Sequence, residues 1–252
     1  RSCAEAVRYD TGMPLDRLDE FRGWIADLLS PEEERRLACL SQVHQLMDGL
    51  IRERELSARD DFISQLIASD VAGRRLSYDE VQGYCLLLFT AGLDTVANSL
   101  SFGMHHFAGD AALQDRLRAS PDLIPEAVEE SLRRFGISMP PRTAARDVDF
   151  AGVRILKGER VMLMLPAGNL DPKVFPDPMR FDLDRENKIH LTFNSGPHRC
   201  AGSHLARMEM RVFYEEWFGR MPNVRRDPDR PSVYRPGLNL ALATVPLVWD
   251  VA

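Results

Sequence analysis

The stretch FNSGPHRCAG, residues 193–202, places one cysteine between two glycines and directly after a histidine and an arginine. No second cysteine lies near Cys200, which argues against a zinc knuckle or a C-x-x-C redox pair. A cysteine at a helix start feels the positive end of the helix dipole, which favours the thiolate. Gly196 and Gly202 would let backbone pass close to a flat partner, while Phe193 and backbone N–H groups could shield the sulfur. The stretch therefore indicates a soft anionic ligand on a rigid loop, and the alternative is a buried structural cysteine.

The bulk composition limits the classes of protein to consider. A chain of 252 residues that is 44% hydrophobic can build a core in one large domain or two small ones. A net charge of −6 argues against nucleic acid as the main partner. The cysteines are scattered and no signal peptide pattern is visible, which favours the cytoplasm. The longest apolar run, residues 85–93, is shorter than a membrane span.

The apolar spacing predicts a mainly α fold with small β-sheets. Ser77 and Glu80 form a capping box, so a long helix should begin there and end near Gly109. This helix is apolar on nearly all sides, which predicts a buried central position. Residues 148–165 alternate in the way typical of short antiparallel strands. Further helices are predicted over residues 21–29, 34–55, 60–69 and 125–135.

A last helix is predicted to begin just after Cys200 and to run through Trp217. Its apolar face is expected to consist of Ala206, Met210, Phe213 and Trp217.

The cysteine stretch resembles the F-x-x-G-x-H/R-x-C-x-G loop of cytochrome P450. Asn194 stands where the family usually has glycine, and the matching residues are Phe193, Gly196, His198, Cys200 and Gly202. The resemblance implies haem b, with Cys200 as the axial ligand of the iron. A lone thiolate suits haem iron because it donates electron density that favours O–O cleavage.

The segment Ala91-Gly92-Leu93-Asp94-Thr95 resembles the A/G-G-x-D/E-T motif of the family's central helix. Gly92 would let the helix open locally, and Thr95 could then bond a freed carbonyl or a water. Asp94 is a costly charge on a buried helix, so it needs a partner or a task. The resemblance implies that Ala91 and Gly92 contact the haem and that Asp94 and Thr95 deliver protons during oxygen activation. The alternative for Asp94 is an ion pair with a nearby arginine.

The segment 130–133 reads E-x-x-R, a spacing that places Glu130 and Arg133 on one helix face. In the family this pair is buried and joined by a third residue, for which Arg180 is the candidate. Arg142 and His198 correspond to family residues that bind the haem propionates, and an arginine fork suits a carboxylate.

The segment GNLDP, residues 168–172, resembles the family's A-N-R-D-P, with Leu170 in place of arginine. We interpret this departure from the family pattern as structural and minor.

Alignment with the family also indicates the substrate pocket. Thr90, Ser138 and Asn239 could each hydrogen-bond an oxygen of the substrate, and an equally good alternative is that they bond backbone or water. The full set of expected pocket residues is Leu87, Thr90, Ala91, Ser138, Met139, Leu238 and Asn239.

Arg199, Arg207 and Arg211 would form a basic patch near the sulfur of an acidic protein. Such a patch suggests an acidic docking partner such as a ferredoxin, and the alternative is a solvated helix face.

The motifs stand in the family's order, and several strings resemble the soluble bacterial camphor-hydroxylase group. Residues 1–252 are therefore expected to be the C-terminal part of a single P450 domain whose N-terminal portion is absent. The resemblance implies a haem-thiolate monooxygenase that hydroxylates a small apolar substrate, terpenoid or norisoprenoid, with O2. Electrons would come from a two-iron ferredoxin and its reductase, with no role for nucleic acid or membrane.

Two other functions stay open from the sequence. One is a peroxide-driven haem-thiolate hydroxylase, against which the Asp94–Thr95 pair argues. The other is a truncated haem-binding fragment that has no catalytic activity.

Overall fold

The computed structural model describes residues 15–28, 32–235, 237 and 239–250. The chain divides into two compact units, Arg1–Val96 and Ala97–Ala252, and the division falls within one long helix. The described helices are α1 (Leu18–Leu28), α2 (Glu33–Leu56), α3 (Phe62–Ala68), α4 (Tyr78–Phe107), α5 (Ala111–Ala119), α6 (Ile124–Arg134), α7 (Leu165–Gly168) and α8 (Ser203–Arg220). Short 3-10 turns occupy Leu15–Arg17, Pro121–Leu123 and Gly196–His198.

The strands of the described residues pair only in twos, always antiparallel. They are β1 (Asp70–Val71) with β2 (Arg74–Arg75), β3 (Pro141–Thr143) with β6 (Arg160–Met162), β4 (Val148–Phe150) with β5 (Val153–Ile155), β7 (Arg225–Arg226) with β10 (Leu247–Val248), and β8 (Val233–Arg235) with β9 (Ala241–Thr244). The expectation of a mainly α fold with small sheets is confirmed.

The first unit is built around the start of α4. The capping box forms as predicted: the Glu80 N–H donates to Ser77 Oγ at 3.3 Å, and the Ser77 N–H donates to Glu80 Oε2 at 2.8 Å. One apolar cluster then joins α1, α2, α3 and α4. Its buried members are Phe21, Trp24, Ile25, Cys39, Val43, Met47, Leu50, Ile51, Ile63, Leu66, Val81, Cys85 and Phe89.

Helix α4 is not buried on all sides, contrary to the sequence expectation. Val81, Cys85 and Phe89 are buried in the first core, whereas Tyr84 and Leu87 are exposed. By length and composition alone α4 is long and apolar enough to cross a membrane, which the run 85–93 did not indicate. Because Val81, Cys85 and Phe89 pack into the first core and Phe107 packs against α8, we interpret α4 as a core helix.

The second unit packs the end of α4 against α8. The ring of Phe107 meets those of Tyr214 and Phe218 edge-on, with centroids 5.1 and 5.2 Å apart. Helix α8 begins after Cys200, as predicted, but its buried face is rotated from the expected one. That face consists of Ser203, Met210, Tyr214 and Phe218, while Ala206, Phe213 and Trp217 are only half-buried.

Candidate functional site

The cysteine loop is shaped by two residues with left-handed backbone, Asn194 (φ 60°) and Gly196 (φ 62°). The Cys200 N–H donates to the Phe193 carbonyl at 2.8 Å, and the Arg199 N–H donates to the Gly196 carbonyl at 3.0 Å. These bonds close the loop on itself before α8 begins. The loop therefore presents Cys200 from a defined backbone.

The three described cysteines differ in surroundings, since Cys39 and Cys85 are buried and Cys200 is exposed. Burial raises the pKa of the Cys85 thiol to about 11, which keeps that thiol neutral. No donor among the described residues hydrogen-bonds the Cys200 sulfur, contrary to the expected backbone N–H contacts. A Cβ added at Gly202 would lie 3.9 Å from the Cys200 Sγ. Cys200 is thus an accessible sulfur and not a buried structural cysteine.

The E-x-x-R pair forms as the resemblance implied. Arg133 donates from Nε and Nη2 to the two carboxylate oxygens of Glu130, at 2.7 and 2.8 Å, and both side chains are fully buried. The expectation that the Arg180 side chain joins this pair was wrong. Arg180 contributes only its backbone carbonyl, which accepts from Arg133 at 3.3 Å. The side chain beside Glu130 is that of Arg185, whose Nε lies 3.3 Å from Glu130 Oε1.

Asn169 connects this buried pair to the segment that leads into the cysteine loop. Its carbonyl accepts from Arg133 at 2.9 Å, and its Oδ1 accepts from the Leu191 N–H at 2.6 Å. Its Nδ2 donates to Thr192 Oγ1 at 2.8 Å, and the Thr192 hydroxyl donates to the Leu132 carbonyl at 2.6 Å. Asn169 is fully buried. Sequence reasoning missed this role, although the GNLDP match was the available signal.

The expected basic patch is only partly present. Arg199 is exposed, and Arg211 lies 3.5 Å from Glu215. Arg207 instead pairs with Glu129, with Nε to Oε1 at 2.5 Å. Arg207 therefore belongs to the scaffold of the loop, and the patch near the sulfur is weaker than predicted.

Arg142 and His198, the expected propionate ligands, both lie in the second unit. Arg142 is in β3 opposite Val161, and its Nη1 donates to the Pro141 carbonyl at 2.8 Å. His198 is exposed in the turn before Cys200. Within the described ranges neither side chain is paired with a carboxylate. Both remain available to an anionic group.

The A-G-x-D-T motif lies in an uninterrupted part of α4. The Thr95 hydroxyl donates to the Ala91 carbonyl at 2.9 Å, and Thr90 and Ser101 make the same i−4 bond at 3.0 and 2.8 Å. Asp94 is half-buried. The expected local opening at Gly92 is absent from this helix.

The expected substrate residues fall into two groups. On α4, Leu87 is 59% exposed, Ala91 is exposed, and the Thr90 hydroxyl is bonded to the backbone. In the second unit, a β-bridge joins Ser138 to Asn239.

The last two residues of the expected substrate pocket are Met139 and Leu238. Met139, next to Ser138, is half-buried. Leu238 lies outside the described residues.

The residues fit a single-ligand haem site. The sulfur is exposed, Gly202 leaves the side next to the sulfur free of a Cβ, and among the described residues the Arg142 and His198 side chains have no carboxylate partner. Among the described residues no group of three or more His, Cys, Asp or Glu could hold a metal ion. The donor set therefore suits one thiolate better than a multi-residue metal centre.

The comparisons with known proteins agree with this description. The sequence matches the family model of cytochrome P450 over residues 14–218. The chain is 33% identical over 238 residues to "Probable cytochrome P450 127A1" of Sinorhizobium fredii, covering 94% of this chain and 58% of that protein. It is 37% identical over 188 residues to the "Steroid C26-monooxygenase" of Mycolicibacterium smegmatis, covering 74% and 47%. The crystal structure of CYP101J2 superposes with a TM-score of 0.89 at 33% identity, covering 97% of this chain and 62% of that one.

A fold of helices and small sheets with an exposed cysteine loop anchored by a buried Glu–Arg pair describes a haem-thiolate protein. The chain belongs to the cytochrome P450 family. It spans about half to three fifths of the length of the curated relatives it matches.

Proposed function

We propose that this chain forms the haem-ligand part of a P450 monooxygenase, with Cys200 as the axial thiolate. Residues 1–252 would then be the C-terminal part of a single P450 domain. The observation that carries the proposal is the exposed Cys200 on a loop whose backbone is closed by its own hydrogen bonds.

The other site residues take roles that suit their chemistry. Phe193, Gly196 and Gly202 shape the loop around the cofactor, and Arg142 and His198 offer donors to the two propionates. The chemistry that thiolate-ligated haem supplies is the insertion of one oxygen atom of O2 into a C–H bond, with two electrons and two protons reducing the other to water.

On α4, Asp94 and Thr95 would hold and pass the protons that this reaction consumes. Thr95 has its hydroxyl 2.9 Å from the Ala91 carbonyl, so it must turn away from this bond to serve as a donor elsewhere. Ala91 and Gly92 would lie against the cofactor.

The substrate is proposed to be small and apolar, and terpenoid or norisoprenoid in class. Leu87 and Met139 are apolar residues of the expected pocket, and one relative is named "Steroid C26-monooxygenase", a name that indicates a largely apolar substrate for that relative. The Thr90 hydroxyl donates to backbone, which favours the alternative reading for this residue. Polar recognition would then fall to Ser138 and Asn239.

A two-iron ferredoxin and its reductase are the proposed source of electrons, in the cytoplasm. The exposed cation nearest to Cys200 in sequence is Arg199, which could contact an acidic partner. Peroxide-only turnover would instead indicate the peroxide-driven hydroxylase.

The test is the difference spectrum of the reduced protein with carbon monoxide, recorded for the wild type and for Cys200→Ser. We expect a Soret band at the thiolate-ligated position that the substitution abolishes. A band at the position of histidine ligation, or one that persists in Cys200→Ser, would contradict the assignment of the ligand. No band at all would indicate that this chain alone does not hold haem.

A further inference from the structure

A chain of direct contacts in the second unit leads from the cysteine to a half-buried ionic cluster. The Phe193 carbonyl accepts the N–H of Cys200 at 2.8 Å, so the two residues are joined through backbone. The guanidinium carbon of Arg207 lies 4.7 Å from the centroid of the Phe193 ring. This distance is within the range of a cation–π contact. A substitution of Arg207 can therefore affect Cys200 through Phe193, which contacts both residues.

Arg207 is held in place by Glu129 of α6. Arg207 Nε and Nη2 donate to Glu129 Oε1 and Oε2 at 2.5 and 3.1 Å. Arg207 Nη1 also donates to the Ser203 carbonyl at 3.3 Å. Both side chains of the pair keep less than a third of their exposure, so water screens this forked pair less than a surface ion pair.

His190 completes the cluster from the other side. Its Nδ1 accepts the Thr192 N–H at 3.3 Å, and its Nε2 lies 3.4 Å from Glu129 Oε2. Its ring centroid is 5.8 Å from that of Phe193. Phe193 thus contacts both the histidine and the arginine that surround Glu129.

Glu129 and Arg207 carry opposite charges in this cluster. Although burial raises the pKa of the Glu129 carboxyl, contacts with His190 and Arg207 outweigh it and lower that pKa to about 2. The carboxylate therefore carries its charge at neutral pH. It offsets the positive charge that Arg207 holds over the Phe193 ring.

We propose that Glu129 and Arg207 are positioning residues that hold the Phe193 ring in place at the start of the Cys200 loop and keep their charges there balanced, so that together they set the reduction potential of the bound haem. This inference rests on the proposed haem-thiolate function. It assigns to Arg207 a role in the loop scaffold in place of the docking role expected from its sequence position.

The two charges predict opposite effects on the potential. Glu129→Gln keeps the shape of the side chain but leaves the Arg207 charge unbalanced, which favours uptake of an electron and raises the potential. Arg207→Gln leaves the carboxylate unbalanced and lowers the potential. If the pair had a merely structural role, both single substitutions would shift the reduction potential in the same direction.

The experiment measures the reduction potential and the reduced carbon-monoxide spectrum of the haem-bound protein. The variants are Glu129→Gln, Arg207→Gln, the double variant Glu129→Gln/Arg207→Gln, and Arg207→Lys. The matched control is Glu216→Gln, which breaks the exposed pair of Glu216 with Arg220 on the same helix. We expect shifts of opposite sign in the two single variants and a potential near that of the wild type in the double variant. Arg207→Lys retains the charge and should stay close to the wild type, as should the control.

The outcomes separate this inference from the function on which it rests. A wild type without the thiolate Soret band overturns the proposed function, and this inference with it. A wild type with the band, together with single variants that shift alike or not at all, overturns this inference alone. If a single variant loses haem, the double variant must restore the band, and a double variant without the band overturns the inference.

Discussion

The scaffold behind the cysteine loop and the residues expected to face the substrate are organised differently. Glu130, Arg133 and Asn169 are fully buried, and their polar atoms are bonded to one another and to loop backbone. Leu87 and Ala91, by contrast, are exposed. The scaffold behind the loop is therefore held by buried contacts within this chain, whereas Leu87 and Ala91 are open to solvent. The comparison predicts that stability depends more on the scaffold than on these exposed residues.

The largest effect is expected from breaking the buried pair. Arg133→Gln leaves the Glu130 carboxylate buried and without its main partner, so the free energy of unfolding should fall by about 3–5 kcal/mol. Urea denaturation measures this. The control is Arg116→Gln, which removes a pair with Asp184 that is largely exposed and should therefore cost much less than the buried pair. Equal losses in the two variants would show that burial does not distinguish them.

Acid should weaken the scaffold through Glu129. Its pKa is lowered from 4.5 to about 2 in the folded chain, so the stabilisation is present above pH 4.5 and is lost as pH falls towards about 2. The free energy of unfolding of the wild type should decrease over this range by about 2 kcal/mol more than that of Glu129→Gln. Parallel pH profiles for the two proteins would contradict this.

The two glycines of the cysteine loop, Gly196 and Gly202, test how much the backbone conformation of the loop itself contributes to stability. Gly196 has a φ of 62°, so Gly196→Ala should cost about 1–2 kcal/mol of stability through backbone strain. Gly202 has a φ of −81° and space for a Cβ, so Gly202→Ala should leave the stability of the haem-free protein nearly unchanged. Thermal unfolding of both haem-free variants is the measurement, and a large loss in Gly202→Ala would be the unexpected result.

The smallest effect is expected on the substrate side. Thr90→Val removes a hydroxyl that donates only to backbone carbonyls of its own helix, so stability should change by less than about 0.5 kcal/mol. The affinity for an apolar substrate, followed by the haem spin-state shift, should also stay the same. A marked loss of affinity would show that this hydroxyl leaves the backbone to bind substrate.

The local features of this fold could be predicted from the sequence because they depend on neighbouring residues. The capping box of Ser77 and Glu80 forms with both expected bonds, and Glu130 and Arg133 meet because three positions along a helix place them on one face. The buried face of α8 was predicted wrongly. Apolar residues stand at both three- and four-residue spacings from Met210, so periodicity does not choose between Phe213 and Tyr214.

The long-range features could not be predicted, because they depend on the path of irregular backbone. Glu130 is reached by Arg185 and not by Arg180, although both follow the same proline-rich segment. Asn169 meets Leu191 and Thr192 more than twenty positions away. No spacing rule relates such partners.

The bonds of Asn169 also have a consequence for motion. The N–H of Leu191 donates to the side chain of Asn169, a fully buried residue whose backbone carbonyl also accepts from Arg133. Local fraying of the backbone is not enough to expose the Leu191 N–H, because its exposure requires the buried hydrogen bonds of Asn169 to break. Its amide should therefore exchange with deuterium at a rate close to that of the core helices, whereas the exposed Ser195, whose N–H donates to the side chain of its neighbour Asn194, should exchange quickly. Slow amide exchange would thus extend from the interior of the second unit almost to Cys200, although the cysteine loop itself is exposed.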